Sequence, residues 1–375
     1  MNSLYLHIPF CLSKCLYCSF SSYPGLDNLH QSYCSALGRD IRQSYWEQHG
    51  RPLNTLFIGG GTPTVLNPKQ LIDISKTCRE VYGFRSDAEI SIEANPGTVN
   101  LDDLQSLRQA GFNRLSLGMQ SGHDDELLAL GRHHNAAQSI SAFKDARRAG
   151  FSNISLDLMY GLPDQTPGLW QQSLEQALAL QPEHLSLYQL SLEEGTDFNR
   201  RFQQGLLLLP DDKETLEMDE ITVELCSRNG FRQYEISNFS RPGFECRHNI
   251  VYWHNDEYLA CGAGAVSYLN TRRSRRHSDP ALYTKQVEQG KSVLEESEQL
   301  ELKASFRETV VMGLRLFEGV AEKRLLNRFG LSYLDVYGNN LSKLREDGLL
   351  ELTSSVLALT EKGRRFANLV MAELV

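Results

Sequence analysis

The stretch PFCLSKCLYCSF, residues 9–20, places Cys11, Cys15 and Cys18 with three and then two residues between them. Thiolates are nucleophiles and metal ligands. A core helix or strand has no reason to repeat a small hydrophobe at these three positions. Three chemistries suit the trio: a disulfide with one spare thiol, a zinc site, or an iron–sulfur cluster. A structural zinc ion takes four ligands, so a zinc reading has to borrow the fourth from His7 or from a distant thiol. A cluster held by three thiolates leaves one iron open to a further ligand.

The bulk composition narrows the choice. The chain has 375 residues, 41% hydrophobic and 23% charged, with a net charge of −9. That balance argues against nucleic acid as the partner, since such binding draws on a basic face. The start, MNSLYLHIPF, lacks a positive leader and is broken by Pro9, so it does not read as a signal peptide. No apolar run approaches the ~20 residues that span a bilayer. The expected location is the cytoplasm, where thiols stay reduced. The disulfide reading falls away and a metal remains.

Something must position the thiols. Six aliphatic or β-branched runs punctuate the first half: LYLHI (4–8), TLFIG (55–59), EISIEA (89–94), RLSLGM (114–119), NISLDLMY (153–160) and HLSLYQL (184–190). Helix-length stretches separate them, the mark of βαβ units around a parallel sheet. Two units nearly repeat, AGFNRLSLG (110–118) and AGFSNISLD (149–157). In each, Gly111 or Gly150 can end a helix in the left-handed conformation, and the following Phe can pack the turn. The expected fold is α/β: a partial barrel of six β/α units over residues 1–205, with its ligand site at the C-terminal ends of the strands. The cysteines follow the first strand. Gly59-Gly60-Gly61-Thr62-Pro63 follows the second, where a backbone free of Cβ atoms admits a ligand. Glu93, Gln120 and Asp157 end the third, fourth and fifth strands on the same rim.

Residues 206–375 read as a second region. A loop and an amphipathic helix lead into an aromatic-rich, irregular stretch over 231–270. From about residue 300 the order helix, helix, hairpin, helix suggests a winged-helix-like, α-rich module. Residues 331–375 carry five Lys/Arg against six Asp/Glu, so this module lacks the basic face of a DNA reader and suits packing or partner docking. The run Arg272-Arg273-Ser274-Arg275-Arg276 reads first as a solvated loop. Its sharper reading is a cradle for haem propionates or an anionic membrane surface. Cys34, Cys78, Cys226, Cys246 and Cys261 read as idle thiols, and His133-His134 as no metal pair, because adjacent helix residues point apart.

The three-cysteine loop after the first strand and GGGTP after the second resemble radical S-adenosylmethionine (SAM) proteins. Further motifs sharpen the likeness across nearly the whole chain: Tyr5-x-His7-Ile8-Pro9-Phe10-Cys11, Glu93-Ala94-Asn95-Pro96, Arg114 to Ser121, and Asp157-Leu158-Met159-Tyr160-Gly161-Leu162-Pro163. Together they resemble the oxygen-independent coproporphyrinogen III oxidase family, and His248-Asn249-x-x-Tyr252-Trp253 resembles the signature of its haem-chaperone branch. The resemblance implies a [4Fe–4S] cluster on Cys11, Cys15 and Cys18, with an open iron that chelates SAM. It implies SAM contacts from Tyr5, Gly60, Gly61, Thr62, Glu93, Gln120, Arg132 and Asp157, and haem contact at His248.

Two departures separate the chain from the oxidase proper, which carries a further cysteine where this chain has Phe20, and an extension ahead of its first strand. Chaperone-like sequences often carry GAHS where this chain reads Gly264-Ala265-Val266-Ser267, so no haem role passes to that segment. The expected function is a haem chaperone supplying respiratory enzymes. The alternative is oxidative decarboxylation of coproporphyrinogen III.

Overall fold

The structure, a computed structural model, describes residues 2–44, 52–338 and 340–375. Strands and helices alternate from the start: β1 (Ser3–Ile8), α1 (His30–Gln43), β2 (Leu53–Gly60), α2 (Pro68–Tyr82), β3 (Phe84–Ala94), α3 (Leu101–Gln109), β4 (Arg114–Gln120), α4 (Asp124–Ala129), α5 (Ala136–Arg148), β5 (Ile154–Tyr160), α6 (Pro167–Ala179) and β6 (His184–Gln189). Local signals start and stop them. Asn67 with Gln70, Asn100 with Asp103 and Asn135 with Gln138 form reciprocal capping boxes at the heads of α2, α3 and α5. Gly111 and Gly150 turn the chain at φ 104° and 94°, and the Phe112 and Phe151 rings behind them are buried. These two turns match the expectation from sequence.

β1 to β6 pair in order, all parallel. Their outward faces bury Leu4, Leu6, Leu56, Ile58, Leu115, Leu117, Leu156 and Leu185 against the helices. This layer is the main core.

Further elements follow the six parallel strands. Helices α7 (Asp197–Gln203) and α8 (Asp212–Arg228) precede β7 (Arg232–Gln233) and β8 (Asn238–Ser240). β8 pairs antiparallel with β6 and with β7. A short helix, α9 (Arg247–Trp253), leads to β9 (Leu259–Cys261), which pairs parallel with the outer edge of β1. The resulting nine-stranded sheet has the order β9-β1-β2-β3-β4-β5-β6-β8-β7. β10 (Val266–Leu269), β11 (Arg272–Arg276) and, after α10 (Pro280–Glu288), β12 (Leu294–Gln299) form an antiparallel sheet beside it. Met218, Phe239, Leu259 and Tyr283 all belong to the barrel's core. These later elements, up to about residue 299, bury their apolar faces against the barrel.

A separate core begins at Phe306 and ends at Leu374. It comprises α11 (Leu302–Gly313), β13 (Val320–Ala321), α12 (Glu322–Phe329), α13 (Tyr333–Tyr337), α14 (Asn340–Glu346), the hairpin β14 (Leu350–Thr353) and β15 (Val356–Leu359), then α15 (Glu361–Arg365) and α16 (Ala367–Ala372). Helices followed by a β-wing give the winged-helix-like order expected. No described helix is long and apolar enough to cross a membrane.

Candidate radical SAM site

The cysteine loop lies over the C-terminal rim of the barrel. It is pinned by backbone bonds from Leu16 N–H to Leu130 O (3.2 Å), Phe198 N–H to Leu16 O (3.0 Å) and Tyr23 N–H to Pro9 O (2.7 Å). Leu16 and Tyr17 pack on a small apolar cluster with Leu130, Met159 and Phe198. The three thiols stay free and half-exposed.

The glycine loop is built for close approach. A Cβ on Gly61 would lie 2.6 Å from Phe10 O and 2.9 Å from Cys11 Sγ, and one on Gly59 would lie 2.9 Å from Glu93 Oε2. Gly60 has φ 122°, a conformation that favours glycine, and its N–H donates to Glu93 Oε2 at 3.2 Å. Thr62 Oγ1 sits 3.5 Å from Cys11 Sγ and accepts from Asn95 Nδ2 at 2.9 Å.

Arg132 joins the two loops. Its guanidinium donates to Cys15 Sγ at 3.5 Å, to Gly118 O at 3.0 Å and to Asn95 Oδ1. Gly118 leaves room for it: a Cβ there would lie 3.1 Å from Arg132 Nη2. Asn95, which touches both Thr62 and Arg132, is not singled out by sequence reasoning. Its position at the end of a strand, inside EANP, was the only signal. Gln120 closes the rim with a left-handed backbone, φ 64°, the kind of strain that concentrates at functional sites.

Below the rim lies a carboxylate pair. Ser116 Oγ donates to both Asp157 oxygens, at 3.0 and 2.9 Å, and Ser155 Oγ adds a third bond at 3.1 Å. Burial, then the charge of Asp157, pushes the Glu93 carboxyl up to about 8. Burial raises Asp157 as well. Tyr5 OH bonds His7 Nδ1 at 3.0 Å, and its ring stacks near Phe57. The native state thus keeps a proton on Glu93 that the unfolded chain, with an ordinary value of 4.5, releases. Stability should fall as pH rises from about 4.5 to about 8. Glu93→Gln should flatten this slope, measured as melting temperature against pH. Parallel curves for the two proteins would show that Glu93 ionises freely.

These residues fit a three-thiolate cluster beside an anionic ligand. Arg132 aims a donor at one sulfur, and the glycines clear space against another.

The structure places two further segments singled out in the sequence. His248 is fully buried, with Nδ1 bonded to Thr55 Oγ1 at 2.7 Å and Nε2 to Tyr252 OH at 2.8 Å. Burial drives its pKa down to about 3. Both ring nitrogens are hydrogen-bonded inside the protein. The segment that carries it instead closes the barrel floor. Glu89 accepts the N–H groups of Arg247 and His248, each at 3.0 Å, beside buried Arg114 and His184. The arginine run is likewise occupied. It forms β11, where Arg275 pairs with Glu295 and Glu296, Arg273 with Glu308, and Arg276 with buried Asp40. Arg272 Nε instead donates to Gln299 Oε1 at 3.3 Å.

A parallel barrel with a three-cysteine loop and a glycine cradle at its rim defines a radical SAM protein. Residues 5–201 match the radical SAM superfamily, and residues 300–366 match the HemN C-terminal domain. The chain is 36% identical over 369 residues to heme chaperone HemW of Bacillus subtilis (strain 168), covering 98% of this chain and 97% of that protein. Heme chaperone HemW of Escherichia coli (strain K12) is 35% identical over 370 residues, covering 98% and 96%. The solved structure of coproporphyrinogen III oxidase (HemN) from Escherichia coli, a radical SAM enzyme, aligns with TM-score 0.86 and 26% identity, over 100% of this chain and 89% of that one. The chain belongs to the radical SAM superfamily and, within it, to the HemW family.

Proposed function

We propose that the chain is a radical SAM haem chaperone of the cytoplasm that binds haem and passes it to haem-accepting respiratory proteins. The observation that carries this reading is the rim itself. The three-cysteine loop and the glycine loop meet there, and the position that bears a further cysteine in the oxidase holds Phe20, 66% exposed. The relatives named as heme chaperones span the chain end to end and support the same choice.

In this reading Cys11, Cys15 and Cys18 hold a [4Fe–4S] cluster. When bound, that cluster supplies single electrons and an open iron for SAM. Gly60 and Gly61 present backbone to the methionine end of SAM. Glu93 and Asp157 face its polar groups from below, Tyr5, Thr62 and Gln120 line the walls, and Arg132 offers a cation to a carboxylate.

The likeness to the Escherichia coli oxidase favours a second reading, coproporphyrinogen decarboxylation. One assay separates them. Anaerobically reconstituted protein, given coproporphyrinogen III, reductant and SAM, should form no protoporphyrinogen, whereas haem titration should give a Soret band. Robust porphyrin turnover would overturn the chaperone.

A further inference from the structure

We propose that Asn95 is the positioning residue that sets the reduction potential of the cluster, by aiming one hydrogen-bond donor at Cys11 and another at Cys15. The proposal rests on the cluster reading above and adds to it a residue outside the ligand set. Asn95 directly follows β3 with an extended backbone, φ −96° and ψ 140°, and Pro96 restricts the chain beyond it. Its carbonyl accepts the Thr98 N–H and the Thr98 hydroxyl, each at 2.9 Å. The backbone that carries the amide is held in place by these bonds.

The chemistry of its two partners decides which way the amide faces. A guanidinium only donates, so the atom that meets Arg132 Nη2 has to be the amide oxygen, Oδ1. That choice turns Nδ2 toward Thr62 Oγ1, 2.9 Å away. The amide nitrogen also only donates, so Thr62 accepts there. Its own hydroxyl hydrogen is then left for Cys11 Sγ, 3.5 Å from the same oxygen. Arg132 meanwhile reaches Cys15 Sγ with Nη1 at 3.5 Å and is braced by Gly118 O at 3.0 Å. Space for the amide is cleared at Gly118, where a Cβ would lie 3.0 Å from Asn95 Oδ1. One amide thus directs a chain of bonds that begins at one thiol and ends at another.

Hydrogen bonds to the sulfurs are among the features that set the potential of an iron–sulfur cluster. The reduced form carries one more negative charge than the oxidised form, so donors aimed at the thiolates favour reduction. Without the Asn95 amide, the Thr62 hydroxyl is free to turn away from Cys11, and Arg132 loses one of its two oxygen supports. The cysteine loop itself does not hang on Asn95. The bonds that pin it run through Leu16, Tyr23 and Phe198, so the effect of Asn95 falls on the donors and not on the ligands.

The test is a redox titration of the anaerobically reconstituted full chain, poised with dithionite and followed by electron paramagnetic resonance of the reduced cluster. SAM is left out, so that its own contacts with Thr62 and Arg132 play no part. Asn95→Leu, similar in size and unable to hydrogen-bond, should keep about four irons per chain. It should shift the one-electron equilibrium about ten-fold toward the oxidised form, a drop of about 59 mV. A purely structural role would lower iron content and leave the potential of the remaining clusters alone. Asn95→Asp gives a second measurement. Its carboxylate still holds Arg132 but accepts from Thr62, which turns the hydroxyl away from Cys11. Its charge lowers the potential by itself, so it is also made on a Thr62→Val background, where only the charge acts. The drop should be larger with Thr62 present. An unchanged potential in Asn95→Leu, or equal drops in the two backgrounds, would overturn the proposal, as would loss of the cluster from both variants. A wild type that takes up no iron would instead defeat the cluster reading itself.

Discussion

Cys15→Ala is expected to stay colourless after anaerobic reconstitution, where the wild type turns brown and takes up about four irons per chain. Cys15 is central to the loop. Its sulfur receives the Arg132 guanidinium at 3.5 Å, and its carbonyl accepts the N–H of Cys18 at 3.1 Å. Two thiolates alone cannot hold a cluster that already lacks a fourth cysteine. The half-exposed loop tolerates the smaller side chain, so melting temperature should hardly move while iron content collapses. Zinc uptake without iron in the wild type would refute the assignment.

The second large effect concerns the fold. Asp40→Ala should cost about 3–5 kcal/mol, the range for breaking one partner of a buried ion pair. Asp40 is 2% exposed on α1 and accepts from Arg276 Nε at 2.8 Å, Arg276 Nη2 at 3.1 Å and Tyr283 OH at 2.7 Å. The variant leaves Arg276, itself 3% exposed, charged and unmatched inside the protein. Urea denaturation is the measurement. Tyr283→Phe, which removes a single bond, should cost only about 1 kcal/mol. Equal losses in the two variants would show that the ion pair is not the stabilising element.

What was legible in the sequence was what local pattern encodes. The run LYLHI fell inside a strand from Ser3 to Ile8, and the run RLSLGM inside one from Arg114 to Gln120, because alternating β/α units leave a period readable without partners. The thiol and glycine loops were legible for the same reason: their chemistry lies in short spacings. The illegible parts all depend on partners distant in sequence. Nothing in LAC announces a strand beside β1. RRSRR looked solvated because LEESEQ, the acidic strand facing it, lies beyond an intervening helix. The residues HNIVYW suggested a haem contact, yet only the fold reveals that Thr55, from β2, takes up one nitrogen of His248. Asn95, quoted within a motif, received no role there because an amide bridging two loops has no signature of its own.

The pairing of β9 with β1 sets a schedule. A ribosome releases the thiol-bearing loop among the first residues, but the outer edge of the strand beneath it waits for Leu259–Cys261. Tyr33 OH donates to His7 O at 2.8 Å and accepts from Ala263 N–H at 2.9 Å, so this late segment also locks the loop's base. Closing so long a loop is slow. Through most of translation the nascent thiols therefore stand on an unfinished platform.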